Sequence, residues 1–228
     1  MTRPALVALM LAGRAADALD GGLAQSLPRI CPVDEAVRIP SLAQFRDDLL
    51  AAVRARDVDA LRPLVDPEIM SGESQEFKRG FGAFVEYHRF HDPSSFYWEA
   101  FERTLSLGGV VWPGGTEFCA PYYCDRWPWG GEGDDILVIG YDVPAHASPD
   151  GASAVGARLS CDVLRTATTE DLSRVGAPQA LLDWVGVYVP GGKLGFVRRD
   201  QVTDGEERLR IAKKNGVWRL TSVEASRG

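Results

Sequence analysis

The chain has 228 residues, 45% of them hydrophobic, and a formal net charge of −7. That is apolar material for one and a half to two compact units. The acidic balance, with no Lys/Arg run longer than two, excludes the electrostatic footprint of a nucleic-acid or anionic-lipid partner.

In chain order, Arg3 stands before the apolar residues 5–12, and Ala16-Asp17-Ala18 offers a small-residue exit. This is the order of a secretory signal over residues 1–18. No other stretch approaches the ~20 apolar residues of a membrane span. Residues 19–40 carry Gly21, Gly22, Pro28, Pro32 and Pro40 without a period and read as a linker held at Cys31. Ser41, with Gln44 three places on, predicts a capped helix that buries Phe45, Leu49, Leu50 and Val53. Asp57 predicts the cap of a second, short helix with Val58, Leu61 and Leu64 inward, stopped by Asp66-Pro67. A third helix is predicted from residue 78 or 79 to 88, burying Phe81, Phe84 and Val85. Asp92-Pro93 predicts the start of a fourth, through Phe96, Trp98, Phe101 and Leu105 to Gly108-Gly109. Residues 110–112 and 118–123 read as strands.

From residue 134 the texture changes to short strands, at 136–139, 141–143, 154–155 and 161–164. The connection 167–182 is predicted to carry a short helix. Val185, Val187 and Val189 then alternate with Trp184, Gly186 and Tyr188, the two-residue repeat of a strand with one buried face. Pro190-Gly191-Gly192 breaks that repeat, a return strand runs from Leu194 to Arg198, and Val202 closes the unit. Finally, Leu209 and Ile211 alternate with charged neighbours. Asn215-Gly216 is a two-residue hairpin turn, and residues 217–223 alternate again. A lone hairpin is marginal in water, so this one is expected to return to the helices at 41–107.

The pattern Trp184-x-x-Val187, a tight turn, then Gly192-Lys193-x-Gly195-Phe196-Val197 resembles the last hairpin of the bacterial SH3-type domain. That family is a small β-barrel that mostly recognises peptides or cell-wall material. The resemblance covers residues 134–203. At its front Tyr141-Asp142-Val143-Pro144 stand where the family shows Leu-Asn-Val-Arg. The ending Asn215-Gly216-Val217-Trp218-Arg219-Leu220 is similar to the closing hairpin of nuclear transport factor 2-like, cone-shaped α+β domains, which also begin with a helix like that at Phe45. Together the two resemblances imply an α+β chain. A helical/antiparallel-sheet host domain, residues 41–133 plus 204–228, carries an inserted small SH3-like β-barrel, residues 134–203.

Four cysteines fit an oxidising compartment. Of three possible pairings, Cys119 with Cys124 and Cys31 with Cys161 are favoured. No C-x-x-C occurs and no histidine lies close in sequence, so no metal site is expected, and no cofactor is called for. Catalytic residues are not expected either. His88 and His91 stand three apart, but Asp92-Pro93 breaks the helix there. His146 stands in a predicted loop. Residues 72–76 form no G-x-S-x-G elbow, and Gly130-Gly131-Glu132-Gly133 misses the phosphate-binding spacing.

Aromatic residues carry the functional expectation. Tyr122, Tyr123, Trp127 and Trp129 crowd a proline- and glycine-rich loop, where they either plug the join between units or form a stacking face. With Trp184 and Tyr188 they read as a groove, because rings offer broad contact with few frozen rotors. The expected ligand-binding residues are therefore Tyr122, Tyr123, Trp127, Trp184 and Tyr188. The expected function is non-catalytic recognition in the bacterial envelope, periplasmic or secreted, of a peptide or peptidoglycan fragment. One alternative is a small-ligand carrier or enzyme with a cavity in the host, where His88 or His91 beside Asp92 or Glu86 acts as base. Another is a module that docks on a second envelope protein.

Overall fold

The computed structural model describes residues 28–73, 76–127, 135–177, 182–205 and 207–225. The predicted signal, residues 1–18, and the loop residues Trp129 and 130–133 lie outside them.

The host begins with α1 (Pro40–Ala55), which buries Leu42, Phe45, Leu49, Ala52 and Val53. Proline takes the first helical position, where its missing N–H costs no hydrogen bond. The predicted capping box therefore does not form. Ser41 Oγ instead accepts from Trp218 Nε1 at 3.1 Å, and Gln44 bonds Asp48. Asp57 does cap α2 (Val58–Leu61), accepting from the amides of Asp59 and Ala60. Asp66-Pro67 does not end a helix but falls inside β1 (Val65–Glu73). There the pairing with the last strand slips between Val65 and Met70, so the proline removes no ladder bond. Residues expected to open the third helix instead form β2 (Lys78–Arg79), and α3 runs from Phe81–Tyr87. The Asp92 carboxylate accepts from the Ser94 amide in a local turn, so α4 starts later, at Tyr97–Ser106.

After β3 (Val110–Val111) and β4 (Glu117–Ala120) come the strands of the insert: β5 (Asp135–Val138), β6 (Val143–His146), β7 (Val155–Leu159) and β8 (Val163–Arg165). The chain continues through α5 (Thr169–Arg174), β9 (Trp184–Tyr188), β10 (Leu194–Arg198) and β11 (Val202–Thr203). It then returns to the host as β12 (Glu207–Lys214) and β13 (Val217–Ala225).

The host sheet has the order β2-β1-β13-β12-β4-β3. It is mixed rather than antiparallel, because β1 and β13, from opposite ends of the chain and joined by no turn, pair in parallel. The sheet and the helices enclose a core that includes Phe84, Phe90, Trp98, Phe101, Phe118 and Trp218.

The insert is two sheets, β7-β6-β10-β9 and β11-β5-β8, and not the closed barrel expected. The connection that carries α5 separates β8 from β9, and among the described residues the bridge Thr166↔Val187 links them. Both sheets turn apolar faces to a shared interior of Ile136, Val138, Val143, Leu159, Val187 and Val197.

Residues 28–39, expected as a linker, are a strap laced across both units. Cys31 is bonded to Cys161, Ile30 N donates to Cys161 O at 2.8 Å, and Arg29 pairs with Asp162 at 2.8 Å. Further on, Asp34 pairs with Arg46 at 2.5 Å, and the Glu35 carboxylate accepts from Val111 N at 2.9 Å. Cys119 is bonded to Cys124. Two disulfides are compatible with an oxidising compartment, secreted or periplasmic. Among the described residues no helix is long and apolar enough to cross a membrane.

Candidate functional site

The structure divides the five expected ligand-binding residues between opposite faces of the insert. Tyr122 is fully buried and Tyr123 is 4% exposed. They pack with Ile30, Leu137 and Val163, and with half-buried Trp127, against the outer side of the β11-β5-β8 sheet. The Tyr123 hydroxyl meets Thr203 Oγ1 at 3.2 Å, and the Trp127 ring lies against Gly205. These three residues plug the join between host and insert. Tyr122 and Tyr123 therefore offer no stacking face: the loop closed by Cys119–Cys124 tucks its rings inward, where apolar burial holds them.

Trp184 and Tyr188 lie on the outer side of the other sheet. Backbone register builds that face. Arg198 is paired with Trp184, Phe196 with Gly186, and Leu194 with Tyr188, while His146 on β6 is paired with Phe196. Gly186 leaves room for α5 to close over the middle of the face. A Cβ there would stand 2.7 Å from Leu172 Cδ2 and 3.2 Å from Ala167 Cβ. Phe196 is covered as a result, at 2% exposure. Trp184 and Tyr188 remain half-buried on either side of it.

The Trp184 ring is held from several directions. His146 meets it edge-on at 5.3 Å and 81°, and the Arg198 guanidinium stands 5.5 Å from its centroid, a cation–π arrangement. His146 Nδ1 lies 3.1 Å from Ser153 O, so that nitrogen carries the proton, since a carbonyl only accepts. Arg199 donates to Leu182 O at 3.1 Å and to Trp184 O at 3.5 Å, which pins the backbone at the ring. Across the face, Asp171 forms a capping box with Thr168. Its carboxyl is held below its ordinary value by the Thr168 hydroxyl first and the Tyr188 phenol second. Burial, and then the bond to Asp171, raises the Tyr188 phenol.

His146 and Arg198 were missed from the sequence. Arg198 carried a signal, its cross-strand position opposite Trp184 in a readable hairpin. His146 carried none, because the pairing of β6 with β10 joins residues fifty apart.

The candidate acid–base set of the host is not assembled. His88 is 2% exposed, its Nδ1 donates to Phe84 O at 2.9 Å, and its ring lies among Phe84, Phe90, Tyr97 and Phe101. Burial lowers it to about 4. His91 is exposed and lies 4.0 Å from Glu86, and Asp92 is engaged by Ser94. A different carboxyl is perturbed. Burial pushes Glu207 up to about 7, against the opposing hydrogen bond of Thr104. Cys119, Cys124 and Asp125 approach within 4.8 Å of one another, but the two sulfurs are bonded together and offer no thiolate to a metal.

No protein-family model matches the chain, and no curated protein matches it. Among solved structures it is similar to an NTF-2-like protein of unknown function from Shewanella oneidensis. The identity there is 12% and the TM-score 0.32, covering 83% of this chain and 98% of that one. It is also similar to an NTF2-like protein with a cystatin-like fold from Novosphingobium aromaticivorans, at 12% identity and TM-score 0.29 over 84% and 86% of the two chains. The CaMKII hub of S. rosetta matches at 14% identity and TM-score 0.31, over 83% and 95%. Likeness this loose transfers no residue's role.

Proposed function

We propose that this chain is a non-catalytic binding protein of an oxidising compartment and that its ligand lies on the outer face of the β7-β6-β10-β9 sheet. The observation that carries this reading is the Trp184 ring, half-buried yet held by His146, Arg198 and a pinned backbone. A fixed aromatic plane with a cation at its rim suits a peptide or peptidoglycan fragment. Sugar faces and proline rings stack on such a plane, and a ligand carboxylate finds Arg198. Tyr188 and Asp171 extend the face at its far end.

Purified cell-wall sacculi are expected to retain the wild-type protein. Trp184→Ala is expected to weaken retention about thirtyfold, a loss of about 2 kcal/mol typical of a central aromatic contact. Equal retention of both proteins, or none of either, overturns the reading.

A second reading, a small-ligand site in the host, is favoured by Glu207, since carboxyls shifted towards neutrality cluster at functional sites. Under it, a thermal-shift screen with small apolar ligands raises the melting temperature of the wild type and not of Glu207→Leu. Phe84, Phe90, Trp98 and Phe101 are buried together in the host core.

A further inference from the structure

The aromatic face of β9 and β10 has a covered middle. Trp184, Gly186 and Tyr188 share one side of β9, opposite Arg198, Phe196 and Leu194 of β10. From Trp184 to Tyr188 is four strand steps, about 13 Å. Phe196 sits between them at 2% exposure, although its register puts it on the same outer side. The cover is local. A Cβ on Gly186 would stand 2.7 Å from Leu172 Cδ2, 3.2 Å from Ala167 Cβ and 3.7 Å from Phe196 Cε1, so these three side chains meet over the glycine.

The covering helix, α5, rests lightly on the sheet. It buries no residue of its own. The bonds that shape it run within residues 168–177: the Thr168–Asp171 capping box, Leu172 N to Thr168 O at 3.0 Å and Ala177 N to Leu172 O at 2.9 Å, and Arg174 with Glu170 and Asp171. All of them survive if the helix lifts as a unit. Toward the strands it presents Leu172 and the Asp171 carboxylate, which accepts from the Tyr188 phenol. Ala167 N, bonded to Gly186 O at 2.8 Å, holds the near end as a hinge. Segments with so little buried apolar contact open before the sheets beneath them.

We propose, on the binding reading above, that α5 is a lid and that Phe196 beneath it is the central ligand contact. Lifted, α5 leaves Trp184, the bare backbone of Gly186, Phe196 and Tyr188 as one apolar strip, with Arg198 at one end. Such a strip takes an extended peptide of four residues or more, its carboxylate at Arg198. Gly186 and Phe196 offer no polar side chain to sugar hydroxyls, which selects the peptide over the glycan.

The test uses the full chain and two stiff probes, diproline and hexaproline, which span about 6 and 19 Å. Hexaproline is expected to bind at least thirtyfold tighter. Phe196→Leu is expected to weaken hexaproline about tenfold and leave diproline unchanged. Leu172→Ala, which raises the open fraction, tightens hexaproline about fivefold. Hydroxyl-radical labelling of the free wild type, which needs no ligand, compares Phe196 with Phe101, a ring of the same chemistry in the closed host core. Phe196 is expected to oxidise at least tenfold faster, and equal rates overturn the lid. Hexaproline binding that depends on Trp184 but not on Phe196 or Leu172 also overturns it, and leaves the binding reading standing. Retention on sacculi without hexaproline binding overturns the choice of peptide. No binding to either, by any of the proteins, overturns the binding reading itself.

Discussion

Replacing Cys31 and Cys161 together by alanine is expected to cost about 5 kcal/mol of stability, whereas the same change at Cys119 and Cys124 costs about 2 kcal/mol. The difference comes from the unfolded chain. The first bond closes a loop over a sequence separation of 130, the second over a separation of 5, and loop-closure entropy grows with the logarithm of that length. A loss of about 5 kcal/mol is a large share of the roughly 5–15 kcal/mol that holds a domain folded. For a chain of this size it lowers the melting temperature by roughly 10–20 °C. The long bond also carries native contacts, since Ile30 and Arg29 are held to the insert beside it. Urea unfolding of the two double variants checks the ranking, and equal losses contradict it.

The Glu207→Gln protein is expected to gain about 3 kcal/mol of stability between about pH 4 and 7, while the wild type stays nearly level. Two groups shifted by burial act in opposite senses. His88 is lowered from 6.5 to about 4 in the folded protein. Below pH 6.5 the unfolded chain takes a proton that the folded one refuses. The contribution of His88 is therefore complete above 6.5 and is lost as the pH falls towards 4. Glu207 is raised from 4.5 to about 7. Its contribution is complete below 4.5 and is lost as the pH rises through 7. Each gap corresponds to about 3 kcal/mol. Between pH 4.5 and 6.5 the two slopes cancel, so removing one unmasks the other. Glu207→Gln rises with pH, and His88→Phe, whose ring fits the same aromatic surroundings, falls. The carboxyls of Asp66, Asp92 and Asp171 sit below their ordinary value and act only at lower pH. Chemical denaturation at half-unit pH intervals gives the three curves, and parallel curves refute the assignment.

What could be read in advance was local. Asp57 capping α2, the valines alternating around Trp184 and the Asn215-Gly216 turn each depend on neighbours within a few residues. They appear where those neighbours predict. Signals settled by distant partners misled. Asp66-Pro67 is a helix stop by local rules, yet β13 arrives from about 150 residues away to pair with β1. Tyr122 and Tyr123 have one composition whether they face water or plug a join. Leu137 and Val163 decide the matter by coming from the insert to cover them. The candidate site was half legible for the same reason. The Trp184 hairpin gave Trp184 and Tyr188 and held an unread signal for Arg198, while His146 joins them only through the pairing of β6 with β10.

The insert leaves and rejoins the host at adjoining points. β4 and β12 are neighbours in one sheet, with Ala120 opposite Leu209, and the hydroxyls of Tyr123 and Thr203 stand 3.2 Å apart. A chain wired this way is expected to be separable: a turn of a few residues in place of residues 135–203 would reclose the host sheet, and the excised piece has its own apolar cluster. The strap sets the condition on such a cut. Residues 28–31 belong by their contacts to the piece removed, so a host without the insert has to begin after Cys31 or carry a solitary thiol.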